Sequence, residues 1–337
     1  MRKGRMIKAG EIVIDEHYPR VQRHNPDDVI VRVCYCAINA DDYSAYIGKV
    51  GKLYSDDGLF HEMSGRIAEV GPVAESLGFR VGDRVSRNPL SGCGSCVACK
   101  KGKPQFCMVD YTPGCSAEYI VCRANSLIRI PDDISMEEGA LYWLCAVCVR
   151  CVERLQVQPG DSVLILGGGA SGLLLLQLLK KRMASQIVVS DPIASKREVA
   201  LQLGADVVIN PDTECIEERA LELTRGEGFD VIIDASGAFY ALENILDILA
   251  RGGKLMLFSN YSIDEVLHLN LMDMYWKENT IYTIFGATVS SYTADVATIL
   301  HHLNLKILID QILPLEDMEK ALQMYGTRQH LRLLVKV

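Results

Sequence analysis

The sequence predicts an α/β protein in which a β-rich part is joined to a doubly wound parallel sheet, and three observations support this. Short β-like runs separated by Gly, Pro and Asp fill residues 1 to about 135. From about residue 160, apolar, β-branched strands alternate with helices, a pattern typical of a parallel sheet covered on both faces. The length of 337 residues favours about two domains.

Composition and charge narrow the class of protein. A net charge of −8 argues against a nucleic-acid surface, because phosphate binding needs clustered Lys and Arg. The start of the chain has no apolar run resembling a signal peptide, and no segment approaches the roughly 20 apolar residues of a membrane span. Twelve cysteines without a secretion signal indicate reduced thiols. We therefore expect a cytoplasmic protein that binds neither nucleic acid nor membrane.

The first part of the chain predicts an antiparallel barrel or sandwich. Its β-like runs, separated by regular turn signals, are VIVRVCYCAI, GRIAEVG, GDRVS, AEYIVC and SLIRIP. A helix is expected after Pro131, where Ser135 is a candidate N-cap and Glu138 completes a capping box.

A glycine-rich turn in the second part predicts a dinucleotide site. The strand SVLILG leads directly into Gly167, Gly169 and Gly172, and an apolar helix follows. Gly167 permits a tight turn, Gly169 lets the backbone approach a pyrophosphate, and Gly172 lets helix and strand pack closely. The phosphates would face the N–H groups of Ala170 and Ser171 at the helix N-terminus.

The next strand ends at Asp191, nineteen residues past Gly172. A carboxylate at this place accepts hydrogen bonds from the ribose hydroxyls of the cofactor and repels a 2′-phosphate, which favours NAD over NADP. Lys196 and Arg197 lie nearby, so NADP stays open. Ser236, in the run IDASG, is a further cofactor-binding candidate. The alternative interpretation is a glycine-rich turn in an α/β domain that binds no nucleotide.

Four cysteines predict a metal site. Cys93, Cys96, Cys99 and Cys107 follow the spacing C-x2-C-x2-C-x7-C in a loop rich in Gly and Lys. Four thiolates complete a tetrahedral zinc site and leave no position for substrate, so we expect one structural zinc per chain. An iron–sulfur cluster is the competing interpretation.

A second cysteine triple lies within a stretch that reads as a buried helix. Cys145, Cys148 and Cys151 occur in LYWLCAVCVRCVERL, and core packing is the expected role of these thiols.

With these motifs in place, the chain resembles the medium-chain dehydrogenase/reductase superfamily, on its zinc-type alcohol/polyol dehydrogenase branch. The resemblance rests on the stretch from His61 to Gly71, GDRV, PGDSVLILGGGASG, LGAD and IDASG, together with the cysteine loop. It implies a GroES-like catalytic domain over residues 1–137, completed by 288–337, and a Rossmann NAD-binding domain over 138–287. It also implies a small-molecule substrate and a homodimer or homotetramer.

The chain departs from this family at the catalytic zinc. Asn39 stands at the position of the cysteine ligand, and Phe60 replaces the glycine before His61 and Glu62. The usual Glu-Pro of the following helix appears as Trp143-Leu144. Asn is a poor ligand and Trp is none, so we expect no tightly bound catalytic zinc.

Other donors leave this expectation open to test. Cys36, Asp41 or Cys145 could hold a metal only through a shifted geometry. The pattern Ile-Asn-x-x-Asp at Ile38 to Asp42 also resembles the zinc-free quinone and enoyl reductase branches of the superfamily.

Without zinc, side chains must polarise the substrate carbonyl and manage a proton. The candidate donors are the Asn39 amide, a protonated His61 and the hydroxyls of Tyr43 or Ser44, of which Ser44 stands where a relay histidine is common. Asp41, at the position of the proton-relaying Ser or Thr, or His61 is the candidate base.

The remaining candidates are expected to orient other residues, cap a helix or line the pocket. Glu62 is expected to orient its neighbours through an arginine, and Asp42 is a candidate helix cap. Tyr46, Tyr54 and Trp143 are candidate pocket residues.

Three functional hypotheses follow. The first is an NAD-dependent oxidoreductase of an alcohol/carbonyl pair in a small polar metabolite, with structural zinc but no catalytic zinc. The second is a zinc-independent reductase of activated C=C or imine groups. The third is a non-catalytic NAD(H)-binding protein.

Overall fold

The computed structural model describes residues 1–50, 58–107, 113–287, 296 and 298–337. The chain divides into two compact units, Met1–Val147 with Gly286–Val337, and Cys148–Phe285. The first unit therefore ends later than the boundary predicted between residues 137 and 138. Within the described ranges, no helix is both long and apolar enough to cross a membrane.

Both ends of the chain supply strands and helices to the first unit. Its strands are β1 (Lys3–Lys8), β2 (Glu11–Asp15), β3 (Asp28–Ala37), β4 (Glu62–Val70), β5 (Arg84–Arg87), β6 (Tyr119–Arg123), β7 (Leu127–Arg129), β14 (Ile309–Pro314) and β15 (Arg332–Lys336). Its helices are α1 (Ala40–Tyr46), α2 (Pro72–Ser76), α3 (Val97–Lys100), α4 (Met136–Gly139), α10 (Met318–Gly326) and the first part of α5 (Tyr142–Leu155).

A largely antiparallel sheet is built around the long strand β3. In the described part of the chain, its strand order is β14-β15-β3-β4-β5-β7, and β6 also pairs with β3. The C-terminal strand β15 lies antiparallel to the end of β3, with Leu334 opposite Ala37. Alternate side chains of β3, among them Val29, Val31 and Val33, are buried in the core. This register places the residues that follow β3 beside the start of β4 and the start of β15.

The second unit is a parallel sheet with helices between its strands. The strands are β8 (Ser162–Leu166), β9 (Gln186–Ser190), β10 (Val207–Ile209), β11 (Phe229–Asp234), β12 (Leu249–Leu257) and β13 (Thr280–Thr283). The helices α6 (Ala170–Lys180), α7 (Ala194–Gln202), α8 (Ile216–Leu223) and α9 (Leu271–Lys277) belong to the same unit, as does the end of α5.

The strand order of this second sheet is that of dinucleotide-binding domains. Among the described residues it is β10-β9-β8-β11-β12-β13, with every neighbouring pair parallel. The order reverses between β8 and β11, and ligands bind such sheets outside the carboxyl ends of the strands at this reversal. The predicted fold class is therefore confirmed in both parts of the chain.

Several local predictions are also confirmed. Ser135 Oγ accepts a hydrogen bond from Glu138 N at 3.1 Å, and the Glu138 carboxylate accepts one from Ser135 N, which completes the capping box of α4. Cys145, Cys148 and Cys151 on α5 are fully buried, as expected for core packing. Tyr54 lies outside the described residues.

Candidate active site

Asn39 begins helix α1 and fixes its first turn. Its Oδ1 accepts hydrogen bonds from Asp41 N at 2.9 Å and Asp42 N at 3.2 Å. Asp42 Oδ2 in turn accepts a hydrogen bond from Asn39 N at 3.1 Å, so the two residues form a capping box. Asp42 is fully buried, and its role as a helix cap is confirmed.

The amide nitrogen of Asn39 links the two residues that open β4. Asn39 Nδ2 lies 3.1 Å from His61 Nε2 and 3.1 Å from Glu62 Oε1. Because an amide nitrogen only donates, His61 Nε2 accepts, and the neutral imidazole then carries its proton on Nδ1. Both N–H groups of Asn39 are engaged, so the expectation of a spare Asn39 amide aimed at a substrate carbonyl is corrected.

Glu62 is paired with an arginine from the far end of the chain. Arg332, at the start of β15, forms a hydrogen-bonded ion pair with Glu62, and both side chains are buried. Burial raises the pKa of Glu62, whereas the Arg332 charge and the Asn39 hydrogen bond oppose that rise. The arginine expected beside Glu62 is therefore Arg332, which lies 270 positions away in sequence.

His61 is held in its neutral form. Burial, together with the charges of Arg87 and Arg332, lowers the pKa of His61 to about 3. A protonated His61 is therefore not the group that polarises a carbonyl at neutral pH, which corrects a second expectation. Sequence reasoning missed Arg87, because a lone arginine in a strand carries no motif.

The other candidates surround this network on α1 and the loop before β4. Asp41 and Ser44 are half-buried, and the Tyr43 ring packs against Tyr325 with ring centroids 5.9 Å apart. Phe60 is fully buried with a φ of 68°, in the left-handed region that favours glycine. Asp42 Oδ1 accepts a hydrogen bond from Phe60 N at 3.0 Å and thereby holds this backbone conformation.

No set of metal donors converges at His61. Within the described residues, the loop of four cysteines is the one group of three or more His, Cys, Asp or Glu side chains whose ligand atoms lie close enough together to share an ion. Cys36 donates its thiol to Cys115 O at 3.2 Å, and burial raises the pKa values of Cys36 and Cys145. Trp143 is buried. Neutral thiols and an indole are poor replacements for the missing ligands.

The cysteine loop, by contrast, fits a zinc ion. The sulfurs of Cys93, Cys96, Cys99 and Cys107 all lie within 4.8 Å of one another, and those of Cys96 and Cys107 are 3.8 Å apart. Zn–S bonds of about 2.3 Å in a tetrahedron place sulfurs about 3.8 Å apart. Backbone N–H groups point at two of the sulfurs from 3.4 Å. These residues would hold one structural zinc.

The glycine turn has the geometry that a pyrophosphate needs. Gly167 has a φ of 102°, and a Cβ there would meet Ser236 N at 2.8 Å. A Cβ on Gly172 would meet Gly167 O at 1.9 Å, whereas one on Gly169 would meet nothing within 4 Å. Gly169 caps α6 without any side-chain hydrogen bond to the first amides of Ala170 and Ser171. The turn is therefore closely packed at Gly167 and Gly172 and open at Gly169, where a phosphate would meet the helix N-terminus.

Asp191 stands beside this turn. Its Oδ2 accepts from Gly168 N and its Oδ1 from Ile193 N, both at 2.8 Å, and each oxygen keeps a further lone pair for a ribose hydroxyl. Lys196 is buried on α7 close to this turn. A Cβ added to Gly168 would lie 3.5 Å from the Cβ of Lys196. Ser236 donates its hydroxyl to Asp234 Oδ1 at 2.6 Å, so it shapes the wall of the turn.

Comparison with known proteins agrees with this architecture. The family model "Alcohol dehydrogenase GroES-like domain" matches residues 25–132, and "Zinc-binding dehydrogenase" matches residues 170–302. A sorbitol dehydrogenase of Bacillus subtilis is 33% identical over 77% of this chain and 76% of its own length. A 2-dehydro-3-deoxy-L-galactonate 5-dehydrogenase of Pseudoalteromonas atlantica is 29% identical over 92% and 91%.

Among solved structures, the alcohol dehydrogenase TADH of Thermus sp. ATN1 superposes with a TM-score of 0.87 at 25% identity, over the whole of both chains. The chain belongs to the zinc-type alcohol dehydrogenase family of the medium-chain dehydrogenase/reductase superfamily. It is an oxidoreductase of the alcohol dehydrogenase type, and its substrate is a small molecule.

Proposed function

We propose that this oxidoreductase interconverts an alcohol and a carbonyl of a small polar metabolite without a catalytic zinc, while the cysteine loop holds a structural zinc. One observation carries the proposal, namely the Asn39 amide nitrogen 3.1 Å from both His61 Nε2 and Glu62 Oε1. At the position where the family places a thiolate ligand, this chain has an N–H donor. Its hydrogen bond uses the imidazole lone pair with which His61 would bind a metal.

Acid–base work then falls to side chains of the first unit. When bound, the nicotinamide accepts or donates the hydride. The neutral His61, with its proton on Nδ1, is a hydrogen-bond donor that can stabilise negative charge developing on the substrate oxygen. Asp41, half-buried in the first turn of α1, accepts the alcohol proton and returns it during reduction. Ser44, one turn further along α1, is the candidate relay to solvent.

Replacing Asp41 tests this assignment. Asp41→Asn should lower kcat about 100-fold or more, because general-base catalysis contributes roughly that much, and Ser44→Ala should have a smaller effect. The assay follows NADH formation with polyols and sugar acids, in buffer containing a zinc chelator, and products are identified by mass spectrometry. Saturation of a C=C bond instead of alcohol oxidation would contradict the proposed reaction, and so would loss of activity when only loosely held metal is removed.

The cofactor is proposed to be NAD. Asp191 presents a carboxylate beside the glycine turn, where it would repel a 2′-phosphate. Asp191→Ser should narrow the preference for NAD over NADP at least tenfold, measured as the ratio of kcat/KM values. An unchanged ratio would contradict this role of Asp191.

The names of similar proteins support a proposal for the substrate class. The similar proteins include enzymes named for sorbitol and for a deoxy sugar acid, both of which carry several hydroxyl groups. We infer that the substrate is likewise a small polyhydroxylated alcohol or its ketone.

The second unit offers a surface for a second copy of the chain. Leu271, Met272, Tyr275 and Trp276 on α9 are each more than half exposed. In the described part of the sheet, β13, which follows α9 in sequence, is an edge strand. We propose a homodimer or homotetramer, since such an apolar patch beside a sheet edge is typical of interfaces. Trp276→Glu should lower the mass measured by light scattering, and an unchanged mass would contradict this surface as the interface.

A cytoplasmic location is proposed from the thiols. All twelve cysteines lie among the described residues, and none of them forms a disulfide there. A reducing compartment is consistent with this chemistry.

A further inference from the structure

A cavity of about 380 Å³ lies in the first unit, among the start of β3, the end of β5 and strand β6. Its lining includes none of the residues assigned above to proton transfer. A volume of this size falls in the range of small-molecule sites. Its polar lining includes His24, Asn25, Asp28, Arg87, Asn88 and Arg123.

Arg87 is the unusual member of this lining. It is 2% exposed, and its Nη2 donates to Pro113 O at 3.0 Å and to Cys115 Sγ at 2.8 Å. Its Nε and Nη1 have no hydrogen-bond partner among the described residues. No carboxylate there forms an ion pair with it, unlike Arg332, which is paired with Glu62. A buried guanidinium with unused donors and no counter-ion is costly, so an anion that supplied both would be bound favourably.

The residues next to Arg87 favour the same ligand. Asn88 is buried, and its Oδ1 accepts a hydrogen bond from Leu90 N at 2.8 Å, which leaves the amide nitrogen as the donor. Asp28 is the carboxylate on this wall, but its Oδ2 already accepts from His24 N and Asn25 N, each at 2.8 Å. This carboxylate oxygen is therefore engaged by N–H groups of its own loop, and the negative charge of Asp28 is outnumbered on the lining by the guanidinium groups of Arg87 and Arg123. The cavity therefore presents donors and positive charge to a ligand.

We propose that this cavity is a binding site for a small oxyanion, a carboxylate or a phosphate group, with Arg87 as its charged anchor and Asn88 as a second donor. The guanidinium fork suits such groups because it donates two parallel hydrogen bonds to their oxygens. The site is separate from the glycine turn of the second unit, which also attracts phosphate.

The proposal is tested by titrating the full-length zinc-loaded protein with inorganic phosphate and, separately, with malonate, in an isothermal calorimeter. Saturating NAD is present throughout, so that the glycine turn is already filled. We expect saturable binding of at least one of the two anions, weakened by added salt. Phosphate binding alone would identify a phosphate site, and malonate binding alone a carboxylate site.

Four variants locate the site. Arg87→Leu should weaken binding at least tenfold, and Arg87→Lys should weaken it less, because lysine keeps the charge but not the fork. Asn88→Asp retains the acceptor for Leu90 N and places a negative charge on the wall, so it should also weaken binding at least tenfold. Arg66→Leu removes one exposed positive charge from the same unit and should leave binding unchanged.

Two results would overturn the proposal. One is the absence of saturable binding by both anions to the wild-type protein. The other is binding to Asn88→Asp that is as tight as to the wild type, which decides the matter even if Arg87→Leu fails to fold.

Discussion

Two polar clusters of the first unit differ in whether their charges require a bound metal ion. The loop of Cys93, Cys96, Cys99 and Cys107 brings four half-buried sulfurs within 4.8 Å of one another. The network of Asn39, His61, Glu62 and Arg332 brings together an amide, an imidazole and an ion pair. The first cluster needs a cation to neutralise four thiolates, whereas the second pairs its positive and negative groups with one another and leaves Arg332 Nε as a donor without a partner among the described residues.

The comparison shows which of the two clusters needs a bound metal ion to keep its geometry. Between Cys93 and Cys107, where every residue is described, the regular structure is the short helix α3 and one 3-10 turn, so the shape of the loop depends on what the sulfurs bind. The catalytic network is built on β3, β4 and β15, which pair directly in one sheet. Its geometry therefore persists without an ion, and a metal ligand can be exchanged for an amide there without loss of the fold.

The largest expected effect is on the cysteine loop. Cys96→Ser removes one of four ligands, so zinc content should fall towards zero and Tm should drop by about 10 °C or more, because structural zinc contributes on the order of 10 kcal/mol to such loops. Elemental analysis and calorimetry measure both effects. Cys215→Ser, at an exposed thiol outside the loop, is the control and should change neither. A Cys96→Ser protein with full zinc and an unchanged Tm would refute the assignment of the loop.

The next effect concerns the buried ion pair. Glu62→Gln leaves Arg332 charged, buried and unpaired, so the free energy of unfolding should fall by about 3 to 5 kcal/mol in urea titrations. Glu69→Gln is the matched control, because it breaks a pair with Arg20 in which both side chains are exposed, and it should cost less than about 1 kcal/mol. Equal losses in the two variants would contradict the buried role of Glu62.

A third prediction separates the two roles of Asn39, which caps helix α1 through Oδ1 and contacts His61 and Glu62 through Nδ2. Asn39→Ser keeps a helix-capping oxygen but lacks the amide nitrogen, so we expect a loss of about 1 to 2 kcal/mol in stability and a roughly 100-fold loss in kcat from a misplaced His61. Asn39→Ala should lose about 1 kcal/mol more, with the same kcat. An Asn39→Cys variant that is more active with added zinc than the wild type would contradict this role, because it would show that the site still requires a catalytic metal.

The smallest effect is a pH dependence. The folded protein holds the pKa of His61 at about 3, below its ordinary value of 6.5, so below pH 6.5 the unfolded chain takes up a proton that the folded chain refuses. Stability should therefore fall as the pH drops from 6.5 towards 3, by up to about 2 kcal/mol at pH 5. Urea unfolding at pH 7 and pH 5 measures this term. It should be smaller in His61→Asn and unchanged in His302→Asn, at an exposed histidine; an equal pH dependence in all three proteins would contradict it.

The fold was predictable from the sequence because its signals are local. Gly167, Gly169 and Gly172 lie between a strand and a helix, and the four cysteines fall within fifteen positions of one another. Periodicity and turn residues also marked most strands. The hairpin of β1 and β2 was missed, since it lies in a stretch whose alternation is weak.

The catalytic network was predictable only in part, because it joins distant segments. The resemblance singled out Asn39, His61 and Glu62, but no spacing rule connects them to Arg332 or Arg87. The protonation of His61 was also beyond the sequence, since it depends on burial and on these two charges. The role of Asn39 changed for a similar reason: its amide nitrogen is satisfied by contacts that only the paired strands create.

The central claim is most directly tested by counting zinc ions per chain. Elemental mass spectrometry on protein purified without chelator or added metal should give about one zinc per chain, held by the cysteine loop, with alcohol oxidation intact. About two zinc ions per chain, with one lost on replacing His61, would contradict the account and return the site to metal catalysis with an unusual ligand set.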